Sequence, residues 1–149
     1  MIATGDIRDV VNKLLVDELH AQTVYINRCP KNFKRPSYWL ETIRREILDV
    51  NYCTIKVVQY FSITCFISQD GYGNSDSQEL TDRQDAVAEL FQSGFVQVSN
   101  RSIRVKATTA GYENDRSYVD LQFEYFDDRP AEADTLPLMG DFDITFEKR

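Results

Sequence analysis

The residues able to do covalent or acid–base chemistry are few. There is one histidine, His20, and there are three cysteines, Cys29, Cys53 and Cys65. A Cys–His nucleophile would need His20 beside one of them. Cys53 and Cys65 fall inside an apolar, strand-like run, where a thiol behaves as a small hydrophobe and is poorly placed for catalysis. His20 itself closes an amphipathic segment and reads as a surface residue at a helix C-terminus, where positive charge is favoured. A zinc site has no second histidine to draw on. Asp and Glu are plentiful but fall in no calcium-loop pattern. Asp70-Gly-Tyr-Gly73 has the glycines of a phosphate loop but neither its lysine nor a helix directly after it, and reads as a flexible surface loop. The pattern points to no catalytic residues, no metal and no cofactor. It directs attention to surfaces instead.

Composition agrees with that emphasis. The chain has 149 residues and a net charge of −7, with a pI near 4.7. This length suits one domain, 1–149, able to fold without a metal or disulfide. A net acidic protein lacks the broad basic footprint of a nucleic-acid binder and repels a polyanion over most of its surface. Three irregularly spaced cysteines make no disulfide framework and suit a reducing compartment. The opening Met-Ile-Ala-Thr-Gly-Asp lacks the basic and apolar regions of a signal peptide, and no apolar run is long enough for a membrane span.

Against this acidity one cationic group stands out: Lys31, Lys34, Arg35, Arg44 and Arg45. It reads as a solvated face, as a contact for an acidic face of another copy, or as a DNA contact, with net acidity weighing against the last.

The elements that must position these residues follow from periodicity. Residues 6–21 carry Ile7, Val10, Val11, Leu14, Leu15 and Leu19 at helical steps, with Thr4 or Asp6 as N-cap. Residues 22–27 read as a short strand. Residues 28–36 hold Pro30 and Pro36 and read as a connecting loop. Residues 38–48 are ambiguous, with local propensity favouring helix. Residues 52–67 are the centre of the chain, a Pro- and Gly-free run of β-branched and aromatic residues. Ile55, Val57, Phe61, Ile63, Cys65 and Ile67 share one face, with Gln59 the exception. Val58, Tyr60, Ser62, Thr64 and Phe66 share the other. At roughly 50 Å, such a strand is expected to bend or to project beyond its sheet. A loop over 68–77 leads to a second helix, expected to open on a Thr81–Gln84 capping box and to stop at Gly94. Residues 95–98, 102–109 and 118–126 alternate as strands, the last two as a hairpin. Residues 127–135 are expected to be irregular. The tail from Leu136 to Phe146 carries apolar residues outside any obvious element and reads as an added edge strand or a docking segment. The order predicts an α+β domain, an antiparallel sheet with both helices on one face.

With these elements in place, the chain resembles the tail terminator proteins of long-tailed bacteriophages, most closely the small ones found in phages of Gram-positive hosts. The resemblance rests on several short motifs in order. They are Ile26-Asn-Arg-Cys-Pro-Lys-Asn-Phe33-Lys-Arg-Pro36-Ser-Tyr38, then Phe61-Ser-Ile63-Thr-Cys65-Phe66, then Val119-Asp-Leu-Gln-Phe-Glu-Tyr-Phe126, and last Leu138-Met139-Gly140. It departs from the family in the turn at 49–51 and in a longer C-terminal region.

The resemblance implies that 38–48 is a strand, the first arm of a long hairpin, against its local propensity. It implies a structural virion protein at the head-proximal end of the tail, assembled in the host cytoplasm. Such proteins form a ring, usually hexameric, that caps the tail tube protein and meets the head–tail connector or neck protein. DNA passes through the lumen without specific binding. A head-side connector is the neighbouring possibility, and a small ligand-binding α+β domain a third. The residues expected at a subunit or partner interface are Lys34, Arg35, Arg44, Arg45, Lys56, Asp70, Tyr72, Leu138, Met139 and Phe142, with 127–149 as a docking extension.

Overall fold

The computed structural model describes residues 1–130. It is an α+β fold with helices α1 (Thr4–Leu19) and α2 (Ser77–Glu89) and strands β1 (Val24–Ile26), β2 (Ser37–Asp49), β3 (Thr54–Phe66), β4 (Phe95–Val98), β5 (Arg101–Tyr112) and β6 (Arg116–Asp128). The strands form one six-stranded sheet in the order β1-β2-β3-β6-β5-β4. All neighbours are antiparallel except β1, which runs parallel to β2. The sheet is therefore mixed, not antiparallel throughout. The cause is the 28–36 loop, which carries the chain back so that β2 starts beside the start of β1; Val24 pairs with Tyr38.

Residues 37–49 are strand, as the resemblance implied. β2 and β3 make a hairpin in register from Ser37–Phe66 to Asp49–Ile55, broken by one bulge between Thr42 and Arg44. A bulge inserts one residue and swaps the faces of everything after it. Before it, Tyr38 and Leu40 lie opposite Cys65 and Ile63 on the helix face; after it, Arg45 and Ile47 lie opposite Gln59 and Val57 on that same face. This phase change is why neither a helical nor a simple alternating pattern fits the segment.

β3 does not overhang. It spans roughly 43 Å at strand rise but is paired with β6 over its whole length, from Thr54–Asp128 to Phe66–Arg116. The sheet instead curls, so that α1 reaches both β2 and β4 from one side. Both helices pack on the face of Ile55, Val57, Phe61, Ile63 and Cys65, against Val119, Leu121, Phe123 and Ile103. Phe61 and Phe91 meet the Phe123 ring edge-on, at 5.8 and 6.3 Å between centroids. α1 buries Ile7, Val11 and Leu15 there.

Two helix starts differ from expectation, for the same reason. α1 begins after Ala3 with no side-chain cap, because the Thr4 hydroxyl is used elsewhere: it donates to Gln59 Oε1 at 3.0 Å and accepts from Arg45 Nη1 at 2.9 Å. α2 begins at Ser77, capped by Asp76, whose carboxylate accepts from the Gln78 N–H at 3.2 Å. Gln84, expected in a capping box, points into the core and donates to the carbonyls of Ala110 at 2.7 Å and Tyr118 at 2.8 Å. The helix does not run to Gly94 as expected: it ends at Glu89, and Gly94, at φ 81°, closes the turn that follows, its N–H donating to the Phe91 carbonyl at 3.1 Å in a conformation that favours glycine. β6 continues through Asp128, past the point where the sequence turns irregular in composition.

Candidate interaction surface

Gln59 resolves the one anomaly of the central strand. It is fully buried on the helix face. Its amide donates to the Arg44 carbonyl at 2.9 Å and its oxygen accepts from Thr4. A buried amide so satisfied locks the bulge of β2 to the start of α1.

The expected interface residues do not form one cluster. Arg44 and Arg45, adjacent in sequence, point to opposite faces because strand residues alternate. Arg45 turns inward, donating to Thr4 Oγ1, to the Ile2 carbonyl at 3.0 Å and to the Tyr125 hydroxyl at 2.8 Å. It ties the N-terminal residues to the sheet. Arg35 is likewise engaged within the fold. It pairs with Asp115 at 2.6 Å, donates to the Ile67 carbonyl at 3.1 Å, and lies 4.7 Å from the Phe33 ring centroid. Phe33 stacks on Phe66 at 4.1 Å, so the 28–36 loop seals the outer face at that end. Hydrogen bonding from Arg116 first, and then from Arg35, holds the Asp115 carboxyl below the usual carboxylate range, against the opposing effect of partial burial.

The others stand on the outside. Arg44 lies over Tyr60, 4.2 Å from its ring centroid, and pairs with Glu46 at 3.3 Å; its side chain is 60% exposed. Lys56 and Arg104 flank Glu124 at 3.0 and 3.6 Å, with Lys56 also near the Phe126 ring. Beside Arg44, on the side away from Lys56, the outer face is indented by an open groove of about 360 Å³ between Ile43, Arg44, Tyr60, Ser62, Asp120 and Gln122. Lys34 is exposed, its backbone N–H donating to the Tyr25 hydroxyl at 2.9 Å. Asp70 closes its loop by accepting from the Tyr72 and Asn74 N–H groups at 2.8 and 3.0 Å, which leaves the Tyr72 ring 92% exposed. Leu138, Met139 and Phe142 lie outside the described residues.

What the alternation argument missed is the apolar end of the hairpin. Ile43, Ile47, Leu48, Val50 and Tyr52 are all exposed. The bulge shifts Ile47 to the helix face, but at a point where no helix covers it. β1 shields the edge of β2 only as far as Leu40, and the Asn27 side chain takes the Thr42 N–H at 2.9 Å. From residue 43 to 49, nothing among the described residues pairs with that edge. The signal was present in the sequence, as apolar residues that fit no single face.

Among the described residues no three His, Cys, Asp or Glu side chains gather as a metal site. No helix there is long and apolar enough to cross a membrane. Searches found no protein family that matches the chain, and no curated protein that does.

Proposed function

We propose that this chain is a structural virion protein, a ring-forming tail terminator that caps the tail tube, stops its polymerisation and joins the tail to the head. The observation that carries the reading is the far end of the β2–β3 hairpin, an open strand edge bearing exposed Ile43, Ile47 and Leu48. Apolar side chains on an unpaired edge suit contact with another chain. A subunit that meets its neighbour through two different surfaces forms a ring where the rotation between copies closes, and a filament where it does not. The order of motifs through the chain supports the identity of that ring. On this reading Arg44, Lys56, Tyr72 and Lys34 belong to the contact surfaces, and Arg35 and Arg45 hold the fold that presents them. A lumen lined by an acidic protein lets DNA slide without sticking.

The experiment is electron microscopy of the purified protein, alone and added to polymerising tail tube protein. The expected result is rings and tubes of arrested length with a cap at one end. A strict monomer that leaves tube growth unchanged overturns the reading. Binding to the head connector protein and not to the tube would move it to the head side of the joint.

A further inference from the structure

We infer that the open edge of β2 closes on the same edge of a second copy, antiparallel, about a two-fold axis at Ile47. This rests on the edge itself and does not depend on the tail-terminator reading.

The free backbone groups can be assigned. Val50 turns its N–H toward β3, donating to the Thr54 carbonyl at 3.2 Å. Successive residues of a strand aim their backbone groups at alternate edges. Arg45, Ile47 and Asp49 therefore present theirs to the open side, where no described residue pairs with them. Ile47, in the middle, is 57% exposed. Such an edge is a template for another strand, and a liability while it stays open.

Charge selects the occupant and the register. The edge reads Ile43-Arg-Arg-Glu-Ile-Leu-Asp49, with its arginines toward one end and an aspartate at the other. Antiparallel pairing with itself brings the two ends together. In a two-fold pair the residue on the axis faces its own copy, and residues equally far on either side face each other. An axis at Arg44, Arg45, Glu46 or Asp49 sets like charges opposite, which is destabilising. An axis at Ile43 runs the pairing into Thr42, whose N–H the Asn27 side chain already takes. An axis at Leu48 runs it past Asp49 into the turn, where Asn51 gives its N–H to the Thr54 carbonyl. An axis at Ile47 keeps the pairing within the strand. Ile47 then lies against Ile47, and Arg45 faces Asp49 in both halves, all on the helix face. Glu46 faces Leu48 on the outer face. Arg45 has room for such a partner, since its three hydrogen bonds within the copy all go to neutral oxygens. The Asp49 side chain is 84% exposed.

A two-fold contact closes on itself and occupies the edge that a ring contact would use. On the function proposed above, the pair is a resting form whose copies must part before they assemble.

The test is sedimentation equilibrium of the full chain in reducing buffer, with concentration raised from micromolar to millimolar. The expected result is a weight-average mass that climbs from one copy to two and stops there. Ile47→Lys and Ile47→Asp should each stay monomeric, because each sets like charges opposite at the axis. Mixed in equal amounts they should pair again, at least about tenfold more tightly than either with itself. Residue-resolved amide exchange on the unmodified protein reads the register. Arg45, Ile47 and Asp49 should slow at least about tenfold as copies pair, while Glu46 and Leu48, whose N–H groups face β3, should not change. A monomer at every concentration, a mass that grows past two copies, or a mixture that pairs no better than its parts overturns the inference. So does an Ile47 amide already protected in the monomer, which would give the edge to another segment of the same chain. None of these measurements involves tail tubes, so failure here leaves the tube-capping experiment to decide the functional reading separately.

Discussion

The two ends of the β2–β3 hairpin are built differently. At the Ser37–Phe66 end every side of the pair is covered. β1 lies along the edge, the 28–36 loop lies over the outer face with Phe33 on Phe66, and α2 lies beneath, where Arg83 donates to the Tyr38 hydroxyl at 2.9 Å and Ser117 to the Leu80 carbonyl at 3.2 Å. At the Asp49–Ile55 end the inner face is held by Arg45 and Tyr125, but the β2 edge and the tip are open. One strand pair is thus core at one end and, on the proposed reading, contact surface at the other. The lesson is that burial, not composition, separates the two roles, since both ends are rich in apolar residues.

The largest expected contrast is chemical and uses the two cysteines that bracket β3. Burial pushes the Cys65 thiol up to about 12, which leaves about one part in ten thousand as thiolate at pH 8. Cys53 is exposed at the tip. Alkylation followed by peptide mass spectrometry should modify Cys53 in the folded protein and Cys65 only on unfolding. Equal labelling of both under native conditions would mean that the closed end opens readily.

Stability should divide in the same way. Phe66→Ala removes a fully buried ring from between Phe33, Arg116 and the sheet, at a cost of about 3–5 kcal/mol. Ile47→Ala removes a side chain already 57% exposed and should change monomer stability by about 0.5 kcal/mol or less, while weakening any association through the tip. Urea denaturation at low protein concentration measures both. A large loss from Ile47→Ala in the monomer would show the tip to be part of the core. Between the two ends stands Gln59, where Gln59→Leu leaves the Arg44 carbonyl without its partner and should cost about 1–3 kcal/mol.

Much of this division was legible in the sequence and part was not, for identifiable reasons. The faces of β3 and β6 could be read because their register is unbroken, so period two runs from Ile55 to Cys65 and from Val119 to Tyr125. β2 could not, because its bulge changes phase in mid-strand and propensity there favours helix; resemblance, not pattern, identified it as a strand. Gln84 and Thr4 were read as caps because short polar motifs look alike whether they close a helix end locally or reach across to another element. The cationic group looked like one patch because neighbours in sequence look like neighbours in space. In a strand, adjacent Arg44 and Arg45 are separated by the sheet itself. Arg35 read as free charge because its partner, Asp115, is eighty residues away.

That pair supplies a modest effect and the most specific one. Asp115 titrates below the usual carboxylate range because Arg116, and then Arg35, bond its ionised form. A carboxyl depressed in the fold contributes stability that is complete above the pKa it has in the unfolded chain, about 3.9. That contribution fades as pH falls toward and through the folded value, where the native state must take up its proton. Asp115→Asn should therefore lower the urea midpoint at pH 7 by the equivalent of about 1 kcal/mol, and the gap from wild type should narrow as pH drops below about 3.9. Arg35→Met should reduce the same pH dependence from the other side of the pair, and also detach the 28–36 loop from Phe66. If the Asp115→Asn gap stays constant from pH 7 down to the acid transition, the pair is not what fastens the closed end. The loop would then be held by the Phe33–Phe66 stack together with the Arg35–Ile67 and Lys34–Tyr25 hydrogen bonds.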